Sequence, residues 1–273
     1  MTKHLMIGAA ATFALTAASA AHASAVYDAR ASTTLTMTAV TNTTTTGSQA
    51  GLEFAVGTGV EGDDTETTGD ATAETSFELR PSDADALGLI RNSLALGETL
   101  SNTGSVTGVA TDGTSSATVL TDGSIFMENL SLTDTFEVTF ELTYDMSAST
   151  GIEFDGESAS ATSFVQVDTE LLGATGTLTE GGVVSEVLSG TVLSLALEPV
   201  QGDEALSASA SILLTFVLSP GTAVNMFMFA DAEGNAIGIA DVDMDVVPLP
   251  GALGFMLFGA AGLAGMRRRA ARA

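Results

Sequence analysis

Apolar and polar positions alternate through most of this chain. Residues 134–143 carry the clearest case: Phe136, Val138, Phe140 and Leu142 fall on one side, Glu137, Thr139, Glu141 and Thr143 on the other. A period of two with one apolar face predicts a half-buried strand of an antiparallel sheet. The same alternation predicts a strand over 33–40, with Leu35, Met37 and Ala39 on one face, and another through Leu52, Phe54 and Val56. Thr and Val suit such positions. Shorter strands are predicted at 163–167, 176–179, 183–187, 192–197, 211–218 and 224–229, the last two joined by Ser219-Pro220-Gly221-Thr222.

Between these runs the punctuation is Gly, Asp and Ser. Thr121-Asp122-Gly123-Ser124 separates two apolar stretches and reads as a hairpin turn, and Thr111-Asp112-Gly113-Thr114 repeats the motif. Residues 57–75 are acidic and poor in apolar side chains, which predicts a long exposed loop. After Pro81, a Ser82 cap with Leu87, Ile90 and Leu94 at helical spacing predicts a helix, while a strand over 93–96 fits equally well. Many short strands with little helix define an all-β body, an antiparallel β-sandwich or jelly roll.

The two ends break the pattern. Lys3 and His4 precede an apolar run from Leu5 to Ala18, and small residues at Ala21, Ala23 and Ala25 follow. This is the form of a secretory signal peptide over residues 1–25, cleaved after Ala23 or Ala25. The acidic Ser/Thr-rich body then occupies 26–245, and a tail occupies 246–273. In the tail, residues 251–266 are uncharged and Arg267, Arg268, Arg269 and Arg272 close the chain. Sixteen helical residues span about 24 Å, a little short of a bilayer core of about 30 Å. The tail is expected to form a transmembrane helix with its arginines on the cytoplasmic side, which agrees with an exported body. A terminal helix also argues against an outer-membrane barrel, which ends on a strand.

Charge sharpens the picture. The chain has 34 acidic and 8 basic residues, a net of −26. Only Arg30, Arg80 and Arg91 lie in the body, which sets three bases against every acid in the chain. Such a surface repels phosphate backbones, so nucleic acid is excluded as a partner, while cations and basic partners are favoured. There is no Cys, and both His residues and the only Lys lie in the signal peptide. The processed chain therefore has no Ser-His-Asp, Cys-His or Ser-Lys arrangement and no His/Cys zinc site. Walker and Rossmann glycine motifs are absent as well.

Carboxylates remain. A glycosidase needs two of them, but it usually holds sugar on aromatic platforms, and here Trp is absent and Tyr is limited to Tyr27 and Tyr144. A carboxylate-based hydrolase is the least favoured reading. Asp63, Asp64 and Asp70, or Asp241, Asp243 and Asp245, offer clustered oxygen ligands for calcium, although neither run matches an EF-hand loop. No other cofactor is expected. Asn42-Thr43-Thr44 and Asn129-Leu130-Ser131 match the N-glycosylation pattern.

Signal peptide, acidic body, Val247-Pro248-Leu249-Pro250, glycine-rich span and terminal arginines occur in the order of PEP-CTERM exported proteins, and the proline motif resembles their VPLPA variant. Gly251 stands where that variant usually has Ala. The resemblance is confined to the tail. It implies recognition of Val247, Pro248, Leu249 and Pro250 by an exosortase-type membrane protease at the inner membrane of a Gram-negative bacterium. It also implies cleavage there and delivery to the cell surface or extracellular matrix, in support of biofilm or exopolysaccharide structure. The leading expectation is thus a non-enzymatic surface or matrix protein. The alternative is a carbohydrate- or calcium-binding module on the same β scaffold.

Overall fold

The computed structural model describes residues 24–239, apart from 46, 81–95, 154–155 and 200–203. The helix predicted after Pro81 and all of the alternative strand 93–96 except Leu96, which is an exposed turn residue, lie outside the described residues, as does the tail from 240 onward. Two compact units divide the chain, Met1–Ile239 and Ala240–Ala273. The first contains ten strands: β1 Ala25–Asn42, β2 Leu52–Arg80, β3 Thr99–Asn129, β4 Phe136–Gly151, β5 Ser158–Leu172, β6 Thr175–Glu180, β7 Val183–Val187, β8 Gly190–Leu197, β9 Glu204–Leu218 and β10 Ala223–Gly238. No helix occurs among the described residues.

All the strands belong to one sheet of order β7-β6-β9-β4-β1-β3-β10-β5-β8, with β2 paired outside β3. Every strand pairing is antiparallel. The sheet is folded over into a nearly barrel-like form, and the fold lies in the β2–β3 ribbon. Residues 99–110 of β3 pair with β1, whereas 113–128 pair with β10. β2 follows β3 through both halves. One layer, here called layer I, holds β1, β4, β9, β6 and β7. The other, layer II, holds β10, β5 and β8. β1 lies against β10 and β5, and β4 against β5. At the far side, Leu188 and Ser189 carry the chain from β7 in layer I to β8 in layer II.

The corner of the ribbon is built on a glycine pair. Gly69 and Gly113 face each other in register and have φ of 68° and 137°. A Cβ on Gly113 would lie 1.8 Å from the Thr68 carbonyl oxygen, and one on Gly69 would lie 2.0 Å from that of Asp112. Only glycine permits both the backbone conformation and the approach.

Core side chains shrink toward that corner. Along β4 the buried residues run Phe136, Val138, Phe140, Leu142, Met146 and Ala148; along β10 they run Val224, Met226, Met228, Ala230, Ala232 and Ala236. β1 runs the opposite way, from Ala25 and Ala29 to Leu35 and Met37. The wide end is a Phe, Leu and Met cluster containing a T-shaped Phe140–Phe216 pair, and the narrow end is mostly alanine. Layers that converge at a fold leave less volume, and close packing then demands small residues there. Tyr27 is the exception. Its ring occupies space vacated by Gly108 and Gly234, where a Cβ would come within 2.2 and 1.9 Å of the ring. Its hydroxyl hydrogen-bonds Ser115, at 3.1 Å. Between the two ends, the Asn102 amide donates to the Thr121 carbonyl and its Oδ1 accepts from Thr33. The Thr121 hydroxyl donates to the Ala230 carbonyl, so buried polar groups link the layers in satisfied pairs.

The all-β antiparallel expectation holds, with several local corrections. Residues 57–75 are not a loop but the middle of β2. They read as loop because β2 is an edge strand whose outer half is wet on both faces, so no apolar alternation survives. Thr121-Asp122-Gly123-Ser124 is not a turn; β3 runs straight through it, with Asp122 opposite Phe229 and Gly123 opposite Met228. The bend falls instead at Thr111-Asp112-Gly113-Thr114. Ala39 is exposed, because a register shift between Met37 and Ala39 turns the strand over. The buried apolar residues face inward, between the layers.

Candidate functional site

The sequence-predicted positions separate into those the structure places and those it does not. Val247, Pro248, Leu249, Pro250, Arg267, Arg268, Arg269, Arg272, Asp241, Asp243, Asp245 and Ala23 lie outside the described residues. Ala25 is the first residue of β1, fully buried and opposite Ala110. Asp63, Asp64 and Asp70 sit on the exposed edge strand β2. Asp63 and Asp64 are neighbours on that strand, so their carboxylates leave opposite faces, and Asp63 accepts a hydrogen bond from the Thr75 hydroxyl. Among the described residues, no group of three or more His, Cys, Asp or Glu is arranged to hold a metal ion.

Asn129 is a structural residue. It is buried, and its amide donates to the carbonyls of Asp134 at 2.8 Å and Leu218 at 2.9 Å. Both N–H groups are used, so the glycosylation pattern there is not open in the folded chain. Asn42 accepts from the backbone N–H groups of Thr44 and Thr45 and organises the turn after β1.

The most distinctive surface is one the sequence did not announce: the outer face of layer II. On a solvated antiparallel face the outward positions are normally polar. Here four of them are phenylalanines, namely Phe126 on β3, Phe164 on β5, and Phe227 and Phe229 on β10. Each is flanked by inward, buried neighbours: Ile125 and Met127, Ser163 and Val165, and Met226, Met228 and Ala230. Phe227 is 38% exposed and the other three are half-buried.

Strand register arranges the face in rows. Gly59, Asp122, Phe229 and Gln166 make one row across β2, β3, β10 and β5. The next contains Gly57, Ser124, Phe227 and Asp168, and the one on the other side contains Leu120, Asp231 and Phe164. Across these rows each phenylalanine stands beside a carboxylate or a carboxamide, while along β10 Phe227 and Phe229 are consecutive outward positions. Rows of this kind are spaced about 6.8 Å along a strand, and neighbouring strands about 4.8 Å apart. Small residues on β2 keep the edge of the face low. A Cβ on Gly59 would lie 2.5 Å from the Asp122 carboxylate, which leans over β2.

The electrostatics are unusual for a surface. Asp231 is pushed up to about 6, chiefly by burial, with repulsion from Glu61 and Asp122 adding to it and a hydrogen bond from the Thr121 backbone opposing it. Burial and Glu61 also raise Asp122. Gln166 donates to Asp168 at 2.7 Å, while the second oxygen of Asp168 is buried without a partner. Burial thus favours the protonated forms of Asp122 and Asp231.

A scan against protein-family models finds no match, and a search of curated proteins finds none at significant similarity. Among solved structures, an isomalto-dextranase of Arthrobacter globiformis T6 complexed with panose is similar over 65% of this chain and 36% of its own, with 11% identity and a TM-score of 0.14. A likeness of that size defines neither fold nor function.

Proposed function

We propose that the protein is a non-enzymatic surface or matrix protein, exported by its N-terminal signal and sorted by its C-terminal tail. In this reading the folded body is a two-layer β-sandwich closed at one side by the β2–β3 ribbon. The tail carries the chemistry of sorting: Val247-Pro248-Leu249-Pro250 is the motif an exosortase-type protease recognises, the apolar run 251–266 holds the chain in the inner membrane, and the terminal arginines stay cytoplasmic. The carrying observation is the order of these three parts at the end of the chain. It is supported by where the body stops, since the first compact unit ends at Ile239, seven residues before the tail. At the other end, β1 begins at the buried Ala25. Cleavage after Ala23 leaves that strand whole, whereas cleavage after Ala25 removes its first residue.

The test is intact mass of the chain recovered from hosts with and without an exosortase. The expected product begins at Ser24 in both hosts and lacks the tail only where the protease is present. A tail retained in both hosts overturns the sorting reading.

A further inference from the structure

We infer that the outer face of layer II is a binding surface for an extended neutral polysaccharide, gripped by Phe126, Phe164, Phe227 and Phe229 with Gln166 and Asp231 as its polar contacts. This inference concerns the body and does not rest on the sorting of the tail.

Three features select this occupant. The face is the outer side of a sheet, and its phenylalanines stand at strand spacing rather than around a pocket. An open platform suits an extended chain that presents its faces in sequence. Next, apolar rings stand beside hydrogen-bonding groups across the rows. A pyranose ring has the matching character, with C–H groups on its faces and hydroxyls on its edges, so the rings stack on the first and the polar groups meet the second. Finally, charge excludes the competitors. No Lys or Arg belongs to these rows, and the net charge of the chain is −26, so anionic polysaccharides, nucleic acid and acidic lipid are repelled. A basic polypeptide would seek fully ionised partners. Burial instead raises Asp122 and Asp231, which makes them weaker partners for ammonium or guanidinium groups and leaves them able to pair with hydroxyls.

The test is affinity gel electrophoresis of the full chain, purified in a detergent without a sugar headgroup, through gels containing hydroxyethyl cellulose, galactomannan or starch. Alginate serves as the anionic control. Retardation by at least one neutral polymer and none by alginate is expected. Phe227→Ala and Phe229→Ala should each weaken binding roughly tenfold, whereas Phe77→Ala, which removes an exposed ring from β2 where it pairs with layer I, should leave it unchanged. Gln166→Ala provides a second variant should the Phe changes disturb folding, and it too should weaken retention. Absence of retardation in every neutral gel overturns the proposal. So does equal retardation by alginate, or a loss on Phe77→Ala equal to that on Phe227→Ala.

Discussion

At the residue scale, two side chains show how closely local chemistry is tied to position. Tyr27 fills the narrow end of the core only because Gly234 and Gly108 leave room for its ring. Gly234→Ala would place a methyl group 1.9 Å from that ring, on buried backbone in the middle of β10. Overpacking of this kind costs about 1–3 kcal/mol, and urea unfolding should show the midpoint falling with little change in slope. Asp231 gives a test in the opposite direction. Its folded-state value, near 6, lies above its ordinary 3.8, so the folded chain holds the proton more tightly than the unfolded chain does. The stability this confers is complete below about pH 4 and is lost as pH rises through about 6. Asp231→Asn keeps an acceptor for the Thr121 backbone N–H and removes the charge. It should raise the melting temperature at pH 7 by roughly 2–4 °C, corresponding to about 1 kcal/mol after solvent screening. The gain should vanish near pH 4 in a pH series of thermal melts.

At the scale of elements, β2 matters most. It is 29 residues long and pairs with β3 on one side only, so its other edge presents unpaired backbone groups along both layers. A free edge of that length is a template for another strand. Its exposed positions are acidic: Glu61, Asp63, Asp64, Glu66 and Asp70 cluster where the core no longer covers it. Two such edges repel. Replacing Asp63, Asp64 and Glu66 together with Thr should leave the fold intact while sedimentation or light scattering reports self-association at concentrations where the native chain stays dispersed.

The same strand shows what the sequence could and could not reveal. Residues 52–56 were legible because alternate side chains enter the core. Residues 57–75 were not, because strand identity there comes from pairing with β3 and leaves no trace in hydropathy. The candidate face was hidden for the converse reason. Asn225-Met226-Phe227-Met228-Phe229-Ala230 is apolar on both sides of the strand, and Ile125-Phe126-Met127 is the same. Such runs satisfy a strand prediction so easily that the surplus passes unnoticed. The usable signal was the missing polar residue at each alternate position. A tally of Trp and Tyr could not find it, since the rings are all phenylalanine.

For the whole molecule, one sheet serves as both walls of its own core. Its taper was partly legible as a drift from Phe and Leu toward Ala along β4 and from Met toward Ala along β10, but the reason for the drift required the fold in β3. The two Thr-Asp-Gly motifs illustrate the limit. They are nearly identical in sequence, yet one is a corner and the other lies straight in mid-strand. The difference lies in what flanks them: Gly113 meets Gly69 across the ladder, while Gly123 packs against Met228 and Asn102.

The position of β10 has a consequence for assembly. It is the last strand of the body, yet it lies between β3 and β5, two strands made long before it. A chain that emerges from its N-terminus can zip β1, β3 and β4 together early, but the second wall stays split until residue 238 is free. Closure therefore waits for β10, the last of the ten strands to emerge, and until then the unmated flanks of β3 and β5 stand open. Such long-range pairing is slow. A newly made chain must keep these flanks from meeting those of its neighbours for as long as the latch takes to arrive.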